Sequence, residues 1–344
     1  MNWRMMDRRR ALALGVGFLP GMAALVASAA DAGPSASAAP SDWIDTRQTL
    51  EPAMIEVALN ELSPQKLNPH VPNSIDQCVR DAIACAKAGA NIVHFHARSR
   101  DGSQSWFDAS FYTEAYRRIK SECDVILYPT QPGVGVDAFK HVWEIADTPG
   151  LKLELETIDI MPVRQRPLIQ QGVPKLVPYD FGPGDPMAET IKELRRRNVA
   201  FHIGIREVGD MRYLKKYRDE GLLGDDVTVK LFFDQSLAGP FPDARGILMY
   251  LDSVPPGMRC RWFVTLYAAF GARGDDGTLR RLCTLAAAMG GHLRVGLGDL
   301  PLMDGKAYSN ADHVKIAGDI CRAAGRKLAT MAEARRMLGI SSRS

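Results

Sequence analysis

The sequence predicts an α/β fold, a (β/α)8 TIM barrel forming a single domain with a C-terminal helical extension. Three observations carry that reading. Eight short runs rich in β-branched and aromatic residues alternate with helical stretches, the pattern of a parallel sheet. Eight strands is the number that closes such a sheet on itself. Polar residues gather where the runs end, at Glu61, His94, His96, Thr130, Glu156, Thr157, Glu207, Asp234 and Asp299. In a barrel those ends share one face, the face that carries sites. An open doubly wound sheet is the alternative, but no Gly-x-Gly-x-x-Gly follows the first run, so dinucleotide binding has no support.

Strands are expected over residues 54–60, 91–98, 124–130, 151–158, 200–205, 227–233, 261–268 and 292–298, with a short extra one over 174–179. Helices fall between them, over 74–88, 109–121, 138–145, 186–197, 211–220, 244–253 and 277–289. Ser74-Ile75-Asp76-Gln77 opens the first helix with a capping-box pattern, and Gly89 stops it. The tail reads as two more helices. One covers 311–324, and the other is N-capped by Thr330 with Glu333 three residues on.

The domain is expected to span residues 40–344. Residues 1–39 read instead as an export signal and a flexible linker. Arg8-Arg9-Arg10 precedes an apolar stretch from Ala11 to Ala30 that ends near the small residues Ala27-Ser28-Ala29. That order describes a secretory signal, and the paired arginines point to the twin-arginine route and the periplasm. An uncleaved N-terminal membrane anchor is the alternative. No other segment is long and apolar enough to span a bilayer, so the mature protein is expected to have no span. The net charge is only +3, and no nucleic-acid motif or basic patch is present. Six scattered cysteines without a Cys-x-x-Cys are expected to be buried free thiols.

His94-Phe95-His96 carries the most chemistry. Residues i and i+2 of a strand point to one face, so two imidazoles project side by side, with Arg98 next on the same face. A buried histidine pair is costly unless something binds it, and neutral imidazole is a good ligand for zinc or a neighbouring divalent metal. Hydrogen-bonded core histidines are the alternative reading.

Several stretches resemble the β-keto acid cleavage enzymes, which include 3-keto-5-aminohexanoate cleavage enzyme. Residues 88–102, Ala-Gly-Ala-Asn-Ile-Val-His-Phe-His-Ala-Arg-Ser-Arg-Asp-Gly, look like that family's second strand. Gly-Gly-His-Leu-Arg-Val-Gly-Leu-Gly-Asp at 290–299 is similar to its last strand, and residues 329–339 to its C-terminal helix. Asn68-Pro69-His70-Val71-Pro72 is similar to its loop after the first strand. The resemblance implies a (β/α)8 barrel, a homotetramer, and zinc held by the two histidines and a glutamate of the last strand. It implies a retro-Claisen exchange in which a β-keto acid and acetyl-CoA give acetoacetate and a new acyl-CoA. It also implies a catalytic pair, with Asp299 taking up a proton and Arg294 orienting a carboxylate or its partner, and a contact from Glu61 to the substrate's distal group.

Some positions depart from that pattern. The family's metal-binding glutamate falls at Gly298, and a family serine at Pro129, which leaves Thr130 as the nearest hydroxyl. Thr157 stands near a family Ser/Thr. His202 stands where the family has a carboxylate and is expected to replace the missing metal ligand in part, with Glu156 as the other candidate. The leading expectation is therefore a metal-dependent enzyme cleaving a C–C bond in a small keto acid. The alternative is an exported carboxylate-binding or catalytically altered protein without CoA chemistry.

Overall fold

The structure, a computed structural model, describes residues 50–340 apart from 134, 161–167, 171–172, 176–184, 235–238 and 268–276. The signal and linker expected over 1–39 lie outside the described residues, as do residues 176–179 of the expected extra strand. In chain order the elements are β1 (Ile55–Ala58), α1 (Ile75–Ala88), β2 (Ile92–His94), α2 (Ala109–Glu122), β3 (Ile126–Tyr128), α3 (Lys140–Ala146), β4 (Leu155–Ile160), β5 (Leu168–Gln170), β6 (Val173–Lys175), α4 (Pro186–Arg196), β7 (Ala200–Ile205), α5 (Met211–Asp219), β8 (Asp226–Asp234), α6 (Ala244–Leu251), β9 (Arg259–Tyr267), α7 (Thr278–Met289), β10 (His292–Val295), α8 (Asn310–Ala323) and α9 (Met331–Met337).

Eight strands form one parallel sheet in the order β3-β2-β1-β10-β9-β8-β7-β4. β3 packs against β4, which curls the sheet into a nearly closed barrel with the helices around it. The extra strand is instead one of an antiparallel pair, β5 with β6. The caps behave as their sequences require. Ser74 accepts from the Gln77 N–H, and Gly89 ends α1 in the left-handed region at φ 111°. The last strand is shorter than the sequence suggests, because Gly296 turns out of the extended region at φ 129°. A Cβ there would lie 2.2 Å from the Ala58 carbonyl oxygen.

Period-two alternation sets the layers. Ile55, Val57, Val93, Leu127, Ile158, Ile203, Val229, Leu231, Val264 and Leu293 point outward into the core shared with the helices. Met54, Ile92, Ile126, Leu155 and Phe263 fill the lower interior, where they pack with Ala334, Met337 and Ile340 at the C-terminal end. α9 thus plugs the N-terminal mouth of the barrel. Arg335 ties it down through Asp124 and Glu154. Access is left to the other mouth, where the strands end.

One tier above that apolar floor, every strand turns a polar side chain inward: Glu56, His94, Tyr128, Thr157, His202, Lys230, Thr265 and Arg294, all buried. Barrel interiors are ordinarily filled by Val, Ile and Leu. A buried polar tier is costly unless its members pair with one another, so it marks where stability has been given up for chemistry. All six cysteines are free, and five are buried. Among the described residues no helix is long and apolar enough to cross a membrane.

Candidate metal centre and active site

The end of β1 and the end of β2 are clamped together by Asn60. Its side chain accepts from the His96 N–H at 2.7 Å and donates to the His96 carbonyl at 3.0 Å. Phe95 points outward into Phe111, Tyr112 and Tyr116, which fixes the strand's facing and sends His94 and His96 inward. Glu61 follows in a left-handed turn, φ 29°, a conformation rare for a residue with a Cβ. Its carbonyl accepts from Arg98 at 2.6 Å and from the Gln104 amide, so neighbouring side chains hold the turn in place.

That turn delivers the Glu61 carboxylate to both histidines. Oε1 lies 2.8 Å from His94 Nε2, and Oε2 lies 2.8 Å from His96 Nε2. The other ring nitrogens each face an acceptor. His94 Nδ1 faces the Tyr128 carbonyl at 3.3 Å, and His96 Nδ1 faces Gln104 Oε1 at 3.0 Å. Both partners accept, so each Nδ1 is placed to donate a hydrogen and each Nε2 is turned toward Glu61. Burial pulls His94 down to about 4, against the pull of Glu61, so it is neutral at pH 7. Burial would raise the Glu61 carboxyl, but His96, His94 and Arg294 hold it well below the usual carboxylate range. Two ring nitrogens and a carboxylate thus converge on one point, where a cation would be held. The donor set, two imidazoles and one carboxylate within 4.8 Å of one another, fits zinc or a similar divalent metal.

Glu61 stands where the last strand's side chain would otherwise reach. A Cβ built on Gly298 would lie 2.6 Å from Glu61 Cγ and 2.9 Å from its backbone nitrogen. The missing side chain at 298 and the arrival of Glu61 are one packing event. The structure does not bring His202 to this cluster. The Tyr128 ring stacks on His94 at 4.4 Å and meets His202 edge-on at 5.3 Å, so it stands between them. His202 Nε2 is 2.6 Å from Thr157 Oγ1, inside the polar tier. Glu156 is adjacent to the inward-facing Thr157 and so points to the opposite side of the sheet, where burial pushes its carboxyl pKa up.

Arg294 is the hub of the tier. Nε and Nη2 donate to Asp299 at 2.7 and 2.8 Å, Nη1 donates to Glu56 at 2.7 Å and to Tyr128 at 2.6 Å, and Nη2 also donates to Glu61. All five of its N–H groups are committed. Lys230 is committed as fully, to Glu56 at 2.8 Å, Tyr128 at 2.5 Å and Thr157 at 3.0 Å. Burial lifts Asp299 to about 6 even with Arg294 beside it, and lowers Lys230 to about 8. Above the tier opens a cleft whose walls include Trp106, Thr130, Gln131, Asp159, Arg206, Phe232 and Tyr267. Thr130 and Thr157 both line it.

A family model of the beta-keto acid cleavage enzyme matches residues 52–340. The chain belongs to that family. It is 27% identical over 285 residues to a 3-keto-5-aminohexanoate cleavage enzyme of Fusobacterium nucleatum, covering 79% of this chain and 92% of that one. It is 27% identical over 292 residues to a 3-dehydrocarnitine:acetyl-CoA trimethylamine transferase of Rhizobium meliloti, covering 80% and 91%. A 3-oxoadipate:acetyl-CoA acetyltransferase of Cupriavidus necator is 24% identical, covering 85% and 96%. Among solved structures, the ternary complex of ObcA with a C4-CoA adduct and oxalate superposes with a TM-score of 0.56 at 16% identity, covering 79% of this chain and 68% of that one. That likeness concerns the barrel alone.

In this family member the sequence pointed to His94, His96, Arg294, Asp299 and Glu61, and the structure gathers all five at one strand-end site. It adds Glu56, Tyr128, Lys230 and Arg206, which the sequence reading passed over. Lys230 had a signal: a lone lysine in Val-Thr-Val-Lys-Leu-Phe-Phe stands at an inward position of a buried strand.

Proposed function

We propose that the protein cleaves a β-keto acid with acetyl-CoA as co-substrate, aided by a divalent metal, zinc by its donor set, at Glu61, His94 and His96. Acetoacetate and a new acyl-CoA are the products. The observation that carries the metal is the convergence of three ligand atoms, from Glu61, His94 and His96, within 4.8 Å of one another. Charge supports it. In the buried tier Arg294 and Lys230 face three carboxylates, Glu56, Glu61 and Asp299, an excess of negative charge that a divalent ion reverses. The named relatives, which act on keto acids with acetyl-CoA, support the reaction class.

Bound there, the metal supplies a Lewis acid for the keto carbonyl. The chain's own groups do the rest. Asp299, buried and poised at about 6, is suited to accept a proton at neutral pH, and Arg294 fixes the orientation of its carboxylate. Glu56, Tyr128 and Lys230 hold Arg294 from below. Thr130 and Thr157 place hydroxyl side chains in the cleft wall. Glu61 is drawn from the distal-group contact expected of it to the metal cluster. A homotetramer is proposed from the resemblance; export to the periplasm by the twin-arginine route, proposed from the sequence, belongs with the alternative without CoA chemistry, because coenzyme A is a cytoplasmic co-substrate.

The test is to incubate the purified protein, loaded with zinc, with β-keto acids with and without acetyl-CoA and to follow acyl-CoA and acetoacetate by mass spectrometry. Formation of both products only when acetyl-CoA is present is expected. Cleavage without acetyl-CoA would transfer the case to the altered-chemistry reading, and no conversion under either condition would overturn the proposal.

A further inference from the structure

Among side chains, a cation with free donors holds a carboxylate most strongly. Among the described residues, three lysine or arginine side chains line the cleft: Arg294, Lys230 and Arg206. Arg294 has five N–H groups and five acceptors, and Lys230 has three and three. Neither has a donor left for a ligand. Arg206 differs. Nε at 3.1 Å and Nη2 at 2.6 Å both donate to one oxygen, Asp159 Oδ2, which leaves Nη1 and half of Nη2 uncommitted among the described residues.

The neighbours aim that guanidinium. Asp159 on β4 is in register with Gly204 on β7, and Arg206 follows two residues later on the same face. Asp159 leans across Gly204 so closely that a Cβ at 204 would lie 2.0 Å from Oδ1. Only glycine leaves room for this pair. The guanidinium lies 4.2 Å above the Phe232 ring and 5.8 Å from Tyr267, a flat aromatic seat that fixes its plane. The pair is asymmetric toward the cleft. The Asp159 side chain is 6% exposed and that of Arg206 is 32% exposed, so the cation is the member presented. A cationic ligand would meet that charge first, whereas a carboxylate would complete the fork.

We infer that Arg206 is the carboxylate clamp of this cleft, binding an acid end of the substrate, while Arg294 serves only to position Asp299. The inference rests on the reading that the cleft takes a keto acid. Two sources of the carboxylate share this chemistry: the group beside the reacting carbon, or a second acid at the far end of a β-keto dicarboxylate.

The test uses the full-length protein loaded with zinc, with Arg206→Gln and Arg206→Lys beside it. Binding of the non-reacting acids butyrate and glutarate is measured by calorimetry, and KM is measured for 3-oxohexanoate, 3-oxoadipate and acetyl-CoA. Arg206→Gln should raise the acid's Kd or KM by about 10- to 100-fold, as loss of a charge-assisted fork does, with partial recovery in Arg206→Lys. An equal loss on mono- and diacid would assign the clamp to the reacting carboxylate, and a loss on the diacid alone to the distal one. A loss confined to acetyl-CoA, or no change for any acid, would overturn the inference. Because calorimetry needs no turnover, acid binding that depends on Arg206 without any cleavage would sink the proposed reaction and leave the clamp standing. Normal cleavage with unchanged acid binding would do the reverse.

Discussion

Gly298→Ala is a single-methyl perturbation with a disproportionate effect. The new Cβ would sit 2.6 Å from Glu61 Cγ, 2.9 Å from Glu61 Cβ and 2.9 Å from its backbone nitrogen. Real Cβ atoms do not approach so closely. One of the three atoms belongs to a backbone already held in a left-handed turn, so a side-chain rotation cannot relieve all three contacts. Overpacking of this kind costs about 1–3 kcal/mol, which for a large domain corresponds to a fall in Tm of roughly 2–4 °C per kcal/mol. The larger effect is on the metal. Displacing Glu61 leaves two imidazoles, and losing a ligand should weaken zinc by at least the roughly 10–100-fold seen when only a supporting group is lost. The assay is competition for zinc against a fluorescent chelator, run beside a thermal melt, with Gly209→Ala as the control because nothing lies within 4 Å of a Cβ there. Exchanging the residues, with Glu61→Gly in the same chain as Gly298→Glu, should recover zinc binding, since the carboxylate re-enters the same volume from the other side. Gly298→Ala protein that binds zinc as tightly as the parent and melts at the same temperature would refute the reasoning.

Three further outcomes follow from the same geometry. Lys230→Met leaves Glu56, Tyr128 and Thr157 without their buried ammonium and should lower unfolding free energy by about 3–5 kcal/mol, read by urea denaturation. Asp299→Asn should reduce turnover roughly 10²–10⁴-fold while zinc content is retained, read by product formation against elemental analysis. His313 is buried with no hydrogen-bond partner on either ring nitrogen among the described residues, and burial pulls it from 6.5 to about 4. Between those values the unfolded chain holds the extra proton, so stability should fall as pH falls from about 6.5 toward 4, by up to about 1.4 kcal/mol per pH unit, and His313→Leu should flatten that slope.

Much of the fold was legible because its signals are local. Ser74 and Gly89 bracket α1, Thr330 and Glu333 open α9, and apolar runs with period two mark the strands. The His94/His96 pair was legible for the same reason, since i and i+2 share a face in any strand. Glu61 could be named but not given its role. Its place beside His94 and His96 depends on a left-handed turn and on the absence of a side chain at 298, more than 200 residues away in the chain. His202 shows the converse. The sequence placed it on a neighbouring strand, but only the packed barrel shows the Tyr128 ring between it and His94. Arg206 was overlooked because its meaning is relational. It is a free donor only by comparison with Arg294 and Lys230, whose partners come from strands scattered through the sequence.

The most direct measurement is the zinc content of the purified protein beside Glu61→Ala, His202→Ala and the His94→Ala/His96→Ala double variant, after equilibration with zinc and removal of the excess. About one zinc per chain in the parent and in His202→Ala, with loss in Glu61→Ala and in the double variant, is the predicted result. Zinc retained by Glu61→Ala and lost by His202→Ala, or no zinc in the parent, would contradict the account.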